Sequence, residues 1–130
     1  MKTQKKKVEA LCRKHQIILL ILHGSHAKGN PGKQSDLDVG ILTKKKIDFE
    51  HTMRIFQDFS EVFGDKFDPV ILNGAEPLIS YQVAIHGKPL FEQKKGVFAA
   101  FRVQAVSRFF DSKKFRDLEK IYIKRAIARV

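Results

Sequence analysis

The sequence has only one cysteine and no tryptophan among its 130 residues. The single cysteine, Cys12, cannot form a disulfide within the chain, so the fold must be held together by its core. No stretch reaches the roughly 18 consecutive apolar residues that a transmembrane helix needs. No signal-type apolar segment with a small-residue cleavage site follows the charged N-terminus. We therefore expect a cytoplasmic protein with no membrane partner.

Acidic residues are also scarce, because 14 Asp and Glu stand against 25 Lys and Arg, which gives a net charge of +11. Such an excess attracts polyanions: nucleic acid, nucleotides or an acidic protein. The lysines form short clusters, which are more often solvated surface than a recognition stripe, at residues 5–7, 44–46, 94–95 and 113–114. Charge alone therefore leaves these classes of partner open.

Hydrophobic residues make up 43% of the chain, and 11 of them are phenylalanine. This is enough apolar material to form the hydrophobic core of one domain over residues 1–130. The run from Ile17 to Leu22 has the pattern of a strand buried on both faces. Apolar residues alternate through residues 37–41, as in a half-buried strand. Residues 67–72 predict a third strand, which Pro69 restricts to an edge or to a short segment.

Helical spacing predicts helices over residues 4–15, 48–63, 77–86, 94–110 and 113–128. In the second of these, the apolar face comprises Phe49, Met53, Phe56, Phe59 and Phe63. We interpret Asp111 or Ser112 as a break between the last two helices, with Phe115 and other apolar residues, Leu118 and Tyr122, facing inward. The order indicates an α/β (α+β) fold: a small mixed β-sheet flanked by helices, with its core at about residues 16–92 and a C-terminal helical tail at about 94–130.

Two aspartates stand one residue apart where the second strand begins. Asp36 and Asp38 share one face of an extended chain, with Cα atoms about 6 to 7 Å apart. Like charges so placed repel, and a divalent cation between them relieves the repulsion. If the second and third strands are neighbours, Asp68 joins the pair. Three carboxylates could then hold two Mg²⁺ ions for attack on a nucleotide phosphate, and Asp68 could accept the proton.

Gly24 and Ser25 follow the first strand. Gly24 lets the backbone approach a phosphate closely, and Ser25 stands where a short helix through residue 28 would begin. Each element alone has a structural alternative: a Gly-Ser pair ends many strands, Ser-Asp-x-Asp forms Asx turns, and Asp before Pro initiates turns. Their order and register along the chain favour a phosphate-handling site.

Gly24 and Ser25, followed by the segment Ser35-Asp36-Leu37-Asp38, resemble the signature of the DNA polymerase β-type nucleotidyltransferase superfamily. Within it the chain is similar to the minimal nucleotidyltransferases, the MNT domain proteins, over nearly its whole length. Segments 73–78, 87–92 and 110–116 carry this finer likeness. The resemblance implies a nucleotidyltransferase fold and transfer of a nucleoside monophosphate, with Mg²⁺, from a nucleoside triphosphate to a hydroxyl group.

Carried onto this sequence, the resemblance implies that Gly24 and Ser25 contact the triphosphate of ATP. It implies that Asp36 and Asp38 hold the metal ions and that Asp68 is the third carboxylate and base. Many MNT proteins are antitoxins that adenylylate a tyrosine of a HEPN-type ribonuclease toxin and also bind it, so a hetero-oligomer is expected. Two alternatives stay open: an antitoxin that neutralises by binding alone, and a nucleotidyltransferase acting on RNA or a small molecule.

Overall fold

The structure is a computed structural model that describes residues 2–24 and 36–129. The helices are α1 (Lys2–Lys14), α2 (Phe49–Phe63), α3 (Pro77–His86) and α4 (Val97–Ala128). The strands are β1 (Ile17–His23), β2 (Leu37–Thr43), β3 (Phe67–Ile71) and β4 (Lys88–Glu92). In these two ranges no helix is both long and apolar enough to cross a membrane.

The four strands form one mixed sheet in the order β3-β2-β1-β4. β1 is antiparallel to both β2 and β4, and β2 is parallel to β3. β1 lies inside the sheet with helices on both faces, which is why its sequence is an unbroken apolar run. β3 lies at an edge, which confirms the position that Pro69 predicted. The expected mixed sheet flanked by helices is therefore confirmed.

The helices cover the sheet in two pairs, and each pair closes its own core. On one face, Ile55 and Phe59 of α2 pack with Cys12 of α1 against Val39 and Ile41. The other face is covered by α3 and α4, through a cluster of buried residues that comprises Leu19, Ile21, Leu72, Val83, Ala84, Phe101 and Ala105. The site described below lies at one end of the sheet. The last residue of β1 and the first residues of β2 and β3 form this end.

Helix α2 begins and ends where its sequence indicates. The Asp48 side chain caps the N-terminus by accepting a hydrogen bond from the His51 backbone N–H at 2.8 Å. Gly64, with a φ of +86°, ends the helix. The predicted apolar face is wrong at its first two members, because the Phe49 and Met53 side chains are 77% and 40% exposed. Phe49 stands in the first turn of the helix, outside the core.

The tail departs from the sequence prediction in two ways. α4 is one helix of 32 residues, so the break predicted at Asp111 or Ser112 is wrong. The Ser112 hydroxyl donates to the carbonyl oxygen of Phe109 at 2.9 Å, so its hydrogen-bonding capacity is used inside the helix and does not compete with it. The inward orientation of Phe115, Leu118 and Tyr122 is also wrong, because these side chains are 73%, 64% and 77% exposed.

Candidate active site

Two carboxylates meet at the start of the parallel strand pair. Asp38 of β2 is the direct register partner of Asp68 of β3. Partnered residues of neighbouring strands project from the same face of a sheet, and the strands are about 4.8 Å apart. The condition on which Asp68 was expected to join the pair, that the second and third strands are neighbours, is therefore confirmed. Asp36 lies two residues before Asp38, immediately ahead of β2, and is exposed.

The start of β2 is fixed to the segment that leads into β3. The backbone N–H of Leu37 donates to the carbonyl oxygen of Lys66 at 2.7 Å. On the opposite face of the sheet, Leu37 and Phe67 pack against the core beneath α1 and α2. Because side chains alternate along a strand, anchoring Leu37 and Phe67 in that core turns Asp38 and Asp68 to the other face.

Gly24 lies against the Asp38 carboxylate at the end of β1. Its φ is +72°, in the left-handed region that glycine adopts without steric cost. A Cβ built on Gly24 would collide with Oδ2 of Asp38. The space that the missing side chain leaves is therefore occupied by one of the two paired carboxylates. Ser25 and the short helix predicted to follow it lie outside the described residues.

His23 completes a row across three strands. It is the register partner of Asp38, so His23, Asp38 and Asp68 project from one face of β1, β2 and β3. Burial lowers the pKa of His23, and the charge of Asp68 opposes this shift. In the part of the chain that the structure describes, the buried Nε2 atom of His23 has no hydrogen-bond partner.

His23 was not among the site residues predicted from the sequence. The available signal was its place: a polar ring at the last position of an otherwise apolar strand, directly before the Gly-Ser pair. A buried imidazole nitrogen without a partner among the described residues is unusual, because most buried polar atoms in folded proteins are hydrogen-bonded.

The donor set fits Mg²⁺, which protein sites commonly bind through one or two carboxylates together with substrate phosphates. Asp38 and Asp68 supply two hard oxygen donors in register. Within residues 2–24 and 36–129, no group of three or more His, Cys, Asp or Glu side chains is arranged to hold a metal ion. Among the described residues, the structure brings two carboxylates together at this end of the sheet.

A second polar cluster joins α1 to α2 at the opposite end of β1. The Nε2 atom of buried His15 lies 2.7 Å from an Asp58 carboxylate oxygen, and its Nδ1 lies 3.2 Å from Nε2 of His51. Lys14 donates to the same carboxylate oxygen at 3.1 Å. The hydrogen bond with His15, followed by that from Lys14, lowers the pKa of Asp58. This cluster precedes β1, whereas Gly24 follows it, so the cluster is separate from the paired carboxylates.

A protein-family model matches more than half of the chain. The family described as "Polymerase beta, Nucleotidyltransferase" matches residues 6–96, a range that contains the paired carboxylates and Gly24. No curated protein matches the sequence.

Several solved structures of similar fold come from toxin–antitoxin complexes. A chain of a toxin–antitoxin structure with AMP-PNP is 22% identical, with a TM-score of 0.76, and the match covers 92% of this chain and 98% of that one. A chain from a complex of the tri-AMPylated Shewanella oneidensis HEPN toxin with its MNT antitoxin is 20% identical, with a TM-score of 0.71, covering 95% and 98%. A chain of an MntA–HepT toxin–antitoxin structure is also 20% identical, with a TM-score of 0.72, covering 95% and 99%. At these identities the likeness establishes a shared fold.

Proposed function

Because the chain belongs to the polymerase β nucleotidyltransferase family, whose model matches residues 6–96, we propose that it transfers AMP from ATP to a tyrosine hydroxyl of a HEPN-type ribonuclease toxin. It would act in the cytoplasm as the antitoxin of that toxin. The observation that carries the proposal is the register pairing of Asp38 with Asp68 beside Gly24. Similar structures that contain AMP-PNP or an AMPylated HEPN toxin support the choice of nucleotide and partner.

Each site residue has a role in this proposal. Gly24 and Ser25 contact the triphosphate, and Asp36, Asp38 and Asp68 would hold Mg²⁺, with two ions expected. When bound, Mg²⁺ neutralises charge on the phosphates and favours departure of pyrophosphate. Asp68 also accepts the proton of the attacking hydroxyl.

The proposed transfer forms one bond to phosphorus, breaks another and moves one proton. The tyrosine oxygen forms a bond to the α-phosphorus of ATP while the bond from that phosphorus to the pyrophosphate oxygen breaks. The tyrosine proton passes to the Asp68 carboxylate, and the products are AMP-tyrosine and pyrophosphate. The open backbone at Gly24 allows a phosphate to lie beside the carboxylates, since a side chain there would already collide with Asp38.

One observation favours a second candidate function, an antitoxin that neutralises by binding alone. The C-terminal half of α4 exposes large apolar side chains, including Phe115 and Tyr122. Such a surface fits stable association with a protein. An RNA substrate is the remaining alternative, which the net charge of +11 keeps open.

The proposal is tested by incubating the purified chain with the HEPN toxin, total cellular RNA, α-labelled ATP and Mg²⁺, beside an Asp38→Asn variant. We expect label on the toxin that protease removes and ribonuclease does not, and no label with the variant. Toxin neutralisation that persists with Asp38→Asn while no label is transferred would favour binding alone. Label that ribonuclease removes would place the RNA alternative first.

A further inference from the structure

The C-terminal half of α4 is a helix without a core of its own. Phe101 and Ala105, near its start, are buried under the sheet. Every residue from 113 to 129 is exposed. A helix of 32 residues is about 48 Å long, so roughly its second half has no cover from the part of the chain that the structure describes. Large apolar side chains that are exposed together commonly mark a surface for interaction with another molecule.

The exposed apolar residues of this half-helix include one ordered stripe. At 100° per residue, Phe115, Leu118 and Tyr122 lie within about 60° of one another around the helix. Arg125 and Arg129 continue the same 3-4 spacing toward the C-terminus, so all five residues fall within about 80°. We call these five residues the tail stripe. On roughly the opposite side of the helix lies a lysine face, formed by Lys113, Lys120 and Lys124.

The charge of this segment indicates the chemistry of what covers it. Residues 113–129 contain seven Lys and Arg and only two Asp and Glu. A partner surface for the tail stripe must therefore offer apolar contact to Phe115, Leu118 and Tyr122 and carboxylates to Arg125 and Arg129.

We propose that the tail stripe is the docking surface for the HEPN toxin, which contacts it through an apolar patch edged by carboxylates. The inference rests on the proposed function for the identity of the partner. The chain's fold matches a chain from a complex with a HEPN toxin over 95% of the present sequence, which leaves about 7 of 130 residues unmatched. Most of the long helix is therefore part of a fold found beside such a toxin.

A second copy of the chain is the competing occupant. An antiparallel pair of these helices would set Asp111 of one copy opposite Arg129 of the other, which is locally favourable. It would also bring together two molecules of net charge +11, each with a lysine face along the same helix. An acidic partner would relieve this repulsion and a second copy adds to it, so the charge balance disfavours a second copy.

The test measures binding of the toxin without ATP by calorimetry, so that no chemistry contributes. The variant Leu118→Glu/Tyr122→Glu places two carboxylates in the centre of the tail stripe. We expect binding to weaken at least thirtyfold, the effect of losing one strong interface residue. The matched control is Phe49→Glu, since Phe49 and Tyr122 are both 77% exposed but lie on different helices. We expect this control to bind as the unchanged chain does.

The charged half of the tail stripe is tested by Arg125→Glu/Arg129→Glu. We expect weaker binding that also depends less on salt concentration, because two attractive charge pairs are lost. Circular dichroism and binding of an ATP analogue check that each variant keeps its fold and its nucleotide site.

The measurements of toxin binding and of AMP transfer distinguish a failure of the docking surface from a failure of the proposed enzymatic function. Toxin binding that is unchanged by Leu118→Glu/Tyr122→Glu would overturn the docking surface alone. Binding through the tail stripe with no AMP transfer would leave the docking surface standing and overturn the enzymatic function. A chain that light scattering shows as a dimer, and that the same variant converts to a monomer without loss of toxin binding, would assign the stripe to a second copy. No binding of the toxin by the unchanged chain would overturn both.

Discussion

Replacing Gly24 by alanine should stop nucleotide transfer while the sheet stays folded. Two costs arise at this position. The φ of +72° is strained for any residue with a Cβ, and a left-handed backbone costs about 1–2 kcal/mol. The new Cβ also collides with the Asp38 carboxylate, whose oxygen must shift by about 1.4 Å or more to restore an ordinary contact.

The shift of Asp38 decides the effect on activity. A displacement of about 1 Å in a positioned catalytic group can reduce a rate by about a hundredfold. We therefore expect AMP transfer by Gly24→Ala to fall by at least that factor. The free energy of unfolding should fall by about 2 kcal/mol or somewhat more, which a domain with about 5–15 kcal/mol of stability survives.

Gly74 provides a matched control. Its φ is +74°, but none of the described residues lies within 4 Å of a Cβ built there. Gly74→Ala should therefore show the backbone cost of about 1–2 kcal/mol with no change in transfer. The assays are urea unfolding and transfer of α-labelled AMP to the toxin. Equal transfer by Gly24→Ala and the unchanged chain would refute the placement of Asp38 in the reaction.

Three further changes test the physical chemistry of the fold. Asp58→Asn should lower the free energy of unfolding at pH 7, measured with urea, by about 1 kcal/mol. The pKa of Asp58 in the folded protein lies below its ordinary value of 3.8. Across a pH series, this difference in stability should therefore shrink as the pH falls below 3.8 and the native carboxylate protonates. His23→Leu should raise the free energy of unfolding by about 1 kcal/mol in the same assay, since it removes a buried nitrogen without a partner among the described residues. A loss of stability would show that this nitrogen has a hydrogen-bond partner. Burial raises the pKa of the Cys12 thiol to about 12. Alkylation of this thiol at pH 8 should therefore proceed in urea and hardly at all in the folded protein. Rapid labelling of the folded chain would show that α1 detaches from the core.

The part of the site that local sequence rules govern could be predicted. The apolar run of β1 indicated a strand covered on both faces, and Pro69 indicated an edge strand. Once β2 and β3 were taken as neighbours, the two-residue period of strands was enough to bring Asp68 to Asp38. These features depend on short stretches and on one strand pairing.

Features that depend on distant contacts could not be predicted. In the cluster of His15, His51 and Asp58, the histidines are 36 positions apart and His15 and Asp58 are 43 positions apart. No spacing pattern in the sequence predicts these contacts. In α4, the helical period of the apolar residues was visible, but a period does not reveal whether the chain's own core or another molecule covers them. Phe115 and Tyr122 were therefore expected inside the domain and lie on its surface.

The most direct test of the central claim is the intact mass of the HEPN toxin after incubation with the chain, ATP and Mg²⁺, followed by peptide mapping. We expect the toxin to gain the mass of one or more AMP groups on tyrosine. The toxin should keep its original mass when Asp38→Asn replaces the unchanged chain. An unmodified toxin in both reactions, or equal modification in both, would contradict the assignment of Asp38 and Asp68 as the site of AMP transfer.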